Sequence, residues 1–162
     1  MSKNYLFPIL FILGFSSCNP VGKELAVLEL TSGEIVSEEN VSLKKGDVIT
    51  IWTKVSKSSE DKDVAFQIKF NIEGRGQSIL LDSLDVTAKD HIINSTTTKE
   101  SYNQSSSTGD STVYYTVHKY ETESKKFTAP ADGKYTFDFK LTDRSSNRSL
   151  FGNKLEIILR KS

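Results

Sequence analysis

The sequence predicts an all-β protein built as an antiparallel β-sandwich. Apolar and polar residues alternate with period two along most of the chain after residue 24, and glycine-containing turn signals separate the alternating segments. No window of a dozen residues shows a clear helical period. About seven to nine short strands at this spacing favour a sandwich, of jelly-roll type or a related one.

Composition restricts the classes of function. The 162 residues carry 21 Lys+Arg and 21 Asp+Glu, and the computed pI is 6.7. This balance excludes a strongly basic polyanion-binding protein, so we expect no nucleic-acid partner. With 36% hydrophobic and 26% charged residues, the chain has the composition of a folded globular protein of one domain.

The first element is a targeting segment. Lys3 precedes an uncharged apolar run over residues 5–15, and small polar residues follow that run. This is the pattern of a cleavable secretory signal helix. A membrane-spanning helix needs about 20 apolar residues, which is far more than this run offers. We therefore predict a signal peptide over residues 1–17.

Cys18, the single cysteine, directly follows Ser16 and Ser17. This arrangement resembles the lipobox of bacterial lipoproteins, and the resemblance implies that Cys18 is lipidated after cleavage in front of it. The alternative is an incidental cysteine behind a plain signal peptide. With lipidation, we expect a lipoprotein of the cell envelope that is anchored in a membrane, the outer membrane being the expected one.

The lipidated cysteine and a short tether are predicted over residues 18–24, followed by a sandwich domain over residues 25–162. Four to six extended residues span at most about 20 Å. The domain is therefore expected to lie close to its membrane.

The strongest strand patterns are Val64 to Glu73, Tyr135 to Thr142 and Leu155 to Leu159. In the second of these, Tyr135, Phe137, Phe139 and Leu141 share one face, which predicts a half-buried strand. Weaker or shorter strands are predicted at Leu25 to Thr31, Ile35-Val36, Val41 to Leu43, Val48 to Val55, Ser78 to Val86, Val113 to Glu121 and Lys125 to Phe127.

Residues 94–112 interrupt the alternation. Eleven of these 19 residues are Ser or Thr, and none is aliphatic. We predict a long polar loop here, either mobile or functional.

Two blocks resemble the GOLD domain, the β-sandwich of p24-type cargo receptors. The first runs from Leu43 to Phe70 and carries a strand with Trp52, a charged turn, and a strand opening at Asp63. The second runs from Phe127 to Leu159 and contains a Gly-x-Tyr-x-Phe strand. The resemblance implies a non-catalytic interaction module, and it supplies no catalytic residues.

Few residues suggest catalysis. His91 and His118 are the two histidines, and neither lies in a recognisable catalytic or metal-binding motif. Acidic residues cluster at 60–63 and at Asp82 with Asp85. Such carboxylates can bind a hard cation or act in a hydrolase, but solvated turns are the simpler interpretation. We expect no enzyme activity, no cofactor and no metal.

The candidate binding surface lies on the strand around residue 115. If Val113 and its alternate neighbours face the core, Tyr114, His118 and Tyr120 line the opposite face. Such a platform would suit a sugar ring or a protein partner, although tyrosine is also common on strand surfaces. Trp52 is expected in the core.

The sequence thus favours a lipid-anchored extracytoplasmic binding or assembly module. Its partners would be the membrane, through the lipid, and a protein. The alternatives are a carbohydrate-binding surface lipoprotein and a small hydrolase.

Overall fold

The protein is an all-β sandwich of two antiparallel sheets, as the alternating pattern predicts. The structure is a computed structural model, and it describes residues 21–58, 66–86, 91–106, 109–143 and 154–162. Within these ranges the strands are β1 (Lys23–Glu29), β2 (Ile35–Leu43), β3 (Val48–Ser58), β4 (Phe66–Gly74), β5 (Gln77–Asp85), β6 (Ile92–Ser106), β7 (Gly109–Thr128), β8 (Gly133–Asp143) and β9 (Lys154–Lys161).

The five-stranded sheet has the order β1-β9-β3-β7-β6, and the four-stranded sheet has the order β2-β8-β4-β5. Consecutive strands often lie in different sheets, so the turn after β2 and the loop after β7 each cross from one sheet to the other. Both crossings occur at the same end of the sandwich, where Leu43 pairs with Gly133 and Val48 pairs with Thr128. We call this end the base.

The hydrophobic core lies between the sheets and consists of the faces that alternation predicts. The four-stranded sheet contributes Ile68, Phe70, Ile72, Tyr135, Phe137, Phe139 and Leu141, and the five-stranded sheet contributes Ile49, Ile51, Val55, Leu155, Ile157 and Leu159. Each of these side chains is at most 4% exposed, so the predicted inward faces of β8 and β9 are confirmed.

Two pairs of short predicted segments are single strands that contain a bulge. β2 joins the segments at 35–36 and 41–43 across a register shift, where Asn40 adopts a positive φ of 60°. β7 joins the segments at 113–121 and 125–127: Ile51 pairs with Lys125, but the next residue, Trp52, pairs with Glu123. Ser124 is therefore an extra residue in β7, which is a β-bulge.

The prediction of a long polar loop over residues 94–112 is wrong. Residues 92–106 form β6, which pairs with β7 down to Ser106 opposite Gly109. Backbone hydrogen bonds hold this hairpin, and they place no demand on side-chain polarity. The predicted tether is also shorter than expected, since β1 begins at Lys23 and not after residue 24.

The predicted signal peptide, Cys18 and the acidic cluster at 60–63 lie outside the described residues. In the part of the chain that is described, no helix has the length and apolar character required to cross a membrane.

Candidate functional site

The β6–β7 hairpin extends beyond the described parts of the neighbouring strands. Within the described residues, β3 pairs with β7 as far as Ser58 opposite Val117, whereas β7 begins eight residues before Val117, at Gly109. Residues 109–116 of β7 pair with residues 99–106 of β6, and no other described strand is paired with them. At about 3.4 Å per residue, this two-stranded extension is about 27 Å long. We call it the arm.

The three residues of the predicted platform, Tyr114, His118 and Tyr120, lie in different environments along this hairpin. Tyr114 lies on the arm and is 76% exposed, the most exposed large apolar side chain among the described residues. His118 lies at the start of the arm, where its Nδ1 is 3.1 Å from the hydroxyl of Thr97 on β6. These two side chains share a face and are open to solvent.

Tyr120 does not belong to an open surface. It lies opposite Val55, a core residue, and its ring packs against the core between the sheets. Burial raises the pKa of the Tyr120 hydroxyl. A three-residue platform is therefore not formed, and truncation of Tyr120 would disturb the core.

The bulge at Ser124 explains why the predicted faces of this strand are inverted. Phe127 faces the core, and strict alternation from it would also turn Val117, Tyr115 and Val113 inward. One extra residue reverses this alternation, because a register change of one residue moves every following side chain to the other face. The odd-numbered residues from 113 to 117 therefore lie on the outer face, which is turned away from the four-stranded sheet.

An aromatic pair occupies this outer face of the arm. Tyr102 of β6 and Tyr115 of β7 have ring centroids 6.0 Å apart. The Tyr115 hydroxyl donates a 3.0 Å hydrogen bond to Oε2 of Glu100, the residue opposite it. This hydrogen bond orients the Tyr115 ring, while Tyr102 is 42% exposed and available for contact.

A cleft of about 340 Å³ lies where the arm meets the sheet. We call it the arm cleft. It is lined by outward residues of β3, β6, β7 and β9, namely Lys54, Ser56, Glu100, Val117, Lys119, Lys154 and Glu156, together with Val55. Glu100 belongs both to the cleft and to the hydrogen bond with Tyr115, so the aromatic pair and the cleft form one continuous surface.

The electrostatics of the arm cleft are mixed. Lys54 Nζ lies 2.7 Å from Oε2 of Glu156, and this hydrogen bond raises the pKa of Lys54 above its ordinary value. Lys154 approaches Glu29 at 3.4 Å. Three cations and two carboxylates around a small apolar floor can bind polar or zwitterionic groups, and aromatic rings beside them can stack on a flat ligand.

Trp52 is buried, as expected of a core residue, but it lies on the outer face of the five-stranded sheet and outside the cluster of side chains between the sheets. Its neighbour Ile51 faces the core, and alternation then turns Trp52 outward. The guanidinium carbon of Arg160 lies 5.3 Å from the centroid of the indole, and the ring of His91 lies 5.3 Å from it at an angle of 61°.

Arg160 forms a buried ion pair beside Trp52. Its Nη2 lies 2.8 Å from Oε2 of Glu121, and Nδ2 of Asn94 donates to the other oxygen of that carboxylate. Arg160 Nη1 and Trp52 Nε1 are fully enclosed and have no hydrogen-bond partner among the described residues. A cavity of about 450 Å³ borders Arg160, Glu24 and Asn94, but neither unpaired donor is exposed to it.

This outer cluster holds the start of β6 against the sheet. His91 Nδ1 lies 3.4 Å from Oε2 of Glu123, whose other oxygen accepts a hydrogen bond from Lys126. Burial raises the pKa of Glu123, but the hydrogen bonds from Lys126 and His91 outweigh it and leave the pKa below its ordinary value. The cluster therefore fixes the position from which the arm extends.

The candidate catalytic residues are not brought together. His91 lies on the outer face, His118 contacts Thr97, and Asp82 is paired with Lys125 at 2.8 Å. Across the described ranges, no three His, Cys, Asp or Glu side chains are grouped closely enough to hold a metal ion.

The aromatic pair and the arm cleft were not predicted. Tyr102 lies inside the segment interpreted as a loop, and the inverted alternation assigned Tyr115 to the core. A lone tyrosine in a Ser/Thr-rich segment was the one available signal.

Comparison with known proteins gives no relative from which a role could be transferred: no family model, curated protein or solved structure matches the chain.

Proposed function

We propose that this protein is a lipid-anchored binding module of the bacterial cell envelope, attached through Cys18, which engages a protein partner through the outer face of its arm. The observation that carries the proposal is the arm with Tyr102, Tyr115 and the adjoining cleft. A two-stranded hairpin without a core contributes little to folding. A projecting hairpin with an aromatic pair, of which Tyr102 is exposed, instead provides the large, rigid contact area typical of interaction hot spots.

The same surface supports the proposal of a non-catalytic module. In the arm cleft, Lys54 contacts Glu156 and Glu100 accepts the Tyr115 hydroxyl, and no histidine is among the described lining residues. Membership of the GOLD family is part of the proposal, supported by the two sequence blocks and by the sandwich architecture.

The anchor is tested on the protein extracted from membranes. Mass spectrometry is expected to find the chain beginning at residue 18 with acyl groups on Cys18, and Cys18→Ser is expected to lose the lipid and leave the membrane or keep its signal. A Cys18→Ser protein that is cleaved normally and remains membrane-bound would contradict the anchor.

The interaction is tested with a photo-crosslinking residue at position 102 in intact cells. A defined adduct is expected from position 102, and it should disappear when Tyr115 is changed to Ala. Position 114, on the opposite face of the same arm, serves as the matched control. Adducts of equal yield from both positions would argue against the outer face as the interface.

A carbohydrate ligand is the second candidate, because an aromatic pair beside a charged cleft also suits a sugar ring. Glycan-array binding that requires both Tyr102 and Tyr115 but not Tyr114 would favour this alternative. Loss of binding in the Tyr120→Ala variant would carry no information, since that ring packs against the core.

A further inference from the structure

The base of the sandwich is a connected platform of turns. The backbone N–H of Gly46 donates to the carbonyl of Ala129 at 2.9 Å, and the backbone N–H of Lys45 donates to Oδ1 of Asp132 at 2.7 Å. Arg75 Nη2, from the turn between β4 and β5, donates to the carbonyl of Asp132 at 3.3 Å. The three connections at this end therefore support one another across both sheets.

The base carries an excess of positive charge. Its turns and the strand residues that border them contain six basic side chains and two acidic ones. The basic residues are Lys23, Lys44, Lys45, Arg75, Lys134 and Lys161, of which all but Lys161 are exposed; the acidic residues are Asp47 and Asp132. Because the whole chain has 21 basic and 21 acidic residues, this excess is local.

The acidic groups near the base have nearby partners. Lys161 Nζ lies 2.5 Å from Oδ2 of Asp47, and this bond lowers the pKa of Asp47. Asp132 accepts the N–H of Lys45. One residue further from the end, Glu24 lies 3.8 Å from Arg160, and Glu73 accepts a hydrogen bond from Asn71. The exposed lysines at the base are therefore its dominant charges.

The chain enters the domain at this same end. Gly22 precedes β1 with a φ of +84°, and a Cβ built on it would lie 2.7 Å from the carbonyl oxygen of Lys161. Glycine is required for so close an approach with a left-handed backbone. The entry point is thus fixed against the last strand, and residues 19–22 separate Cys18 from Lys23, a reach of at most about 18 Å.

We propose that the base docks on anionic phospholipid headgroups, and that this contact holds the sandwich with its strands directed away from the bilayer. The inference rests on the lipid anchor proposed above, which would bring the base to the membrane. β7 runs from the base to the tip of the arm over 20 residues, a path of about 65 Å. Docking at the base therefore presents the arm at its greatest distance from the membrane.

The test uses the lipidated full chain in vesicles, with a dye on one introduced cysteine and an energy-transfer acceptor in the headgroup layer. Cys18 is the single natural cysteine, so lipidation leaves the new thiol as the labelling site. Thr128→Cys places the dye at the base and Ser105→Cys places it near the tip, and both positions are exposed. In vesicles containing phosphatidylglycerol, we expect strong transfer from position 128 and weak transfer from position 105.

The charge contribution is tested with two double variants. Each lysine at an anionic surface favours docking by roughly fivefold. Lys44→Gln with Lys134→Gln should therefore lower the ratio of docked to undocked domain by about 30-fold and reduce the difference between the two labels. The matched control is Lys69→Gln with Lys140→Gln, on the outer face of the four-stranded sheet, which should retain the difference. Phosphatidylcholine vesicles or high salt should mimic the first variant.

Equal transfer from both labels, or a difference that persists in phosphatidylcholine, would overturn the docking surface while leaving the anchor intact. An unacylated Cys18 in the mass spectrum would instead overturn the anchor. In that case, sedimentation of the unacylated chain with phosphatidylglycerol vesicles alone would still support the basic surface, and failure to sediment would overturn it as well.

Discussion

Phe137 shows how a single residue tests the core. It is fully buried, and its ring meets that of Phe127 edge to face at 5.9 Å, whereas the neighbouring Thr136 faces away from the core. Phe137→Ala is expected to lower the free energy of unfolding by about 3–5 kcal/mol. Thr136→Ala should cost less than about 1 kcal/mol. Urea denaturation of the two variants measures the contrast, and equal stabilities would contradict the register of β8.

The close approach of Gly22 to the last strand can be tested by comparison with Gly33, which has a similar φ but open surroundings. Both have positive φ, +84° and +81°, but a Cβ at Gly22 would collide with the carbonyl of Lys161, while a Cβ at Gly33 would meet nothing within 4 Å. Both Ala variants should lose about 1–2 kcal/mol from the backbone alone. Gly22→Ala should lose at least about 1 kcal/mol more from overpacking.

Thermal and urea unfolding would separate these two losses. Equal losses in the two variants would mean that the start of β1 detaches from β9 and does not remain under strain.

At this scale, the sequence predicts the side chains that lie between the sheets and fails for those whose position depends on a register change. Tyr135 and Leu141 alternate regularly and are buried as predicted. Tyr120 could not be placed, because its face depends on the Ser124 bulge, and the burial of Trp52 on the outer face depends on the cluster around Arg160. Neither feature has a signature in the alternation itself.

At the scale of the elements, we expect the domain to fold without the arm. Thr98 pairs with Val117, so replacing residues 99–116 by Asn-Gly would close a two-residue hairpin at the level where β3 ends. We expect the free energy of unfolding to change by no more than about 1 kcal/mol, because among the described strands the removed segments pair with each other and with no third strand. Crosslinking or ligand capture through the arm should be abolished. Circular dichroism and a thermal melt provide the check.

A longer deletion supplies the control for the arm. Removing residues 94–112 would also remove Asn94, which donates to Glu121, and the part of β6 that pairs beside His118. This variant should lose more stability than the shorter deletion. A shorter deletion that abolishes cooperative unfolding would show that the arm is part of the folding unit.

β6 could not be predicted for a physical reason. Both faces of the arm are open to water along most of its length, so neither face needs apolar residues and the period-two signal is absent. A strand rich in serine, threonine and asparagine then has the same sequence pattern as a loop. By contrast, β4, β8 and β9 each bury one face and are recognisable from the sequence.

For the whole molecule, Asp82 and Lys125 connect the two sheets at one edge. Lys125 Nζ of β7 lies 2.8 Å from Oδ2 of Asp82 on β5, and this bond, together with the N–H of Ser83, lowers the pKa of Asp82. A carboxyl group whose pKa is lower in the folded state stabilises the fold above its unfolded pKa of about 4, and this contribution is lost as pH falls through the folded pKa. Asp82→Asn should therefore be less stable than the natural chain at pH 6, with a difference that shrinks below about pH 4.

Lys125→Met provides the matching variant, because it removes the other half of the pair. Its deficit should follow the same pH dependence, measured by urea denaturation between pH 2.5 and 7. A deficit of Asp82→Asn that stays constant down to the lowest pH would show that the pair does not contribute to stability.

The fold class as a whole was predictable, since alternation, turns and the absence of a helical period agree with each other. The candidate site was not predictable, because it is assembled from β3, β6, β7 and β9, and the pairing of those strands is a property of the topology. Tyr114 and His118 share a face of the hairpin, but the surface with the aromatic pair is the opposite one.

Because of the bulge at Ser124, the number of residues in β7 determines which face of the arm is turned outward. Deleting this one residue would restore regular alternation between Phe127 and the arm, and every side chain from 123 towards 109 would change sides. Relative to the two sheets, the arm would be rotated by half a turn about its long axis. Tyr102 and Tyr115 would then lie on the side of the four-stranded sheet. The face that the arm turns outward therefore depends on the number of residues in β7. Loss of a single codon would turn the face with Tyr114 outward in place of the face with Tyr102 and Tyr115.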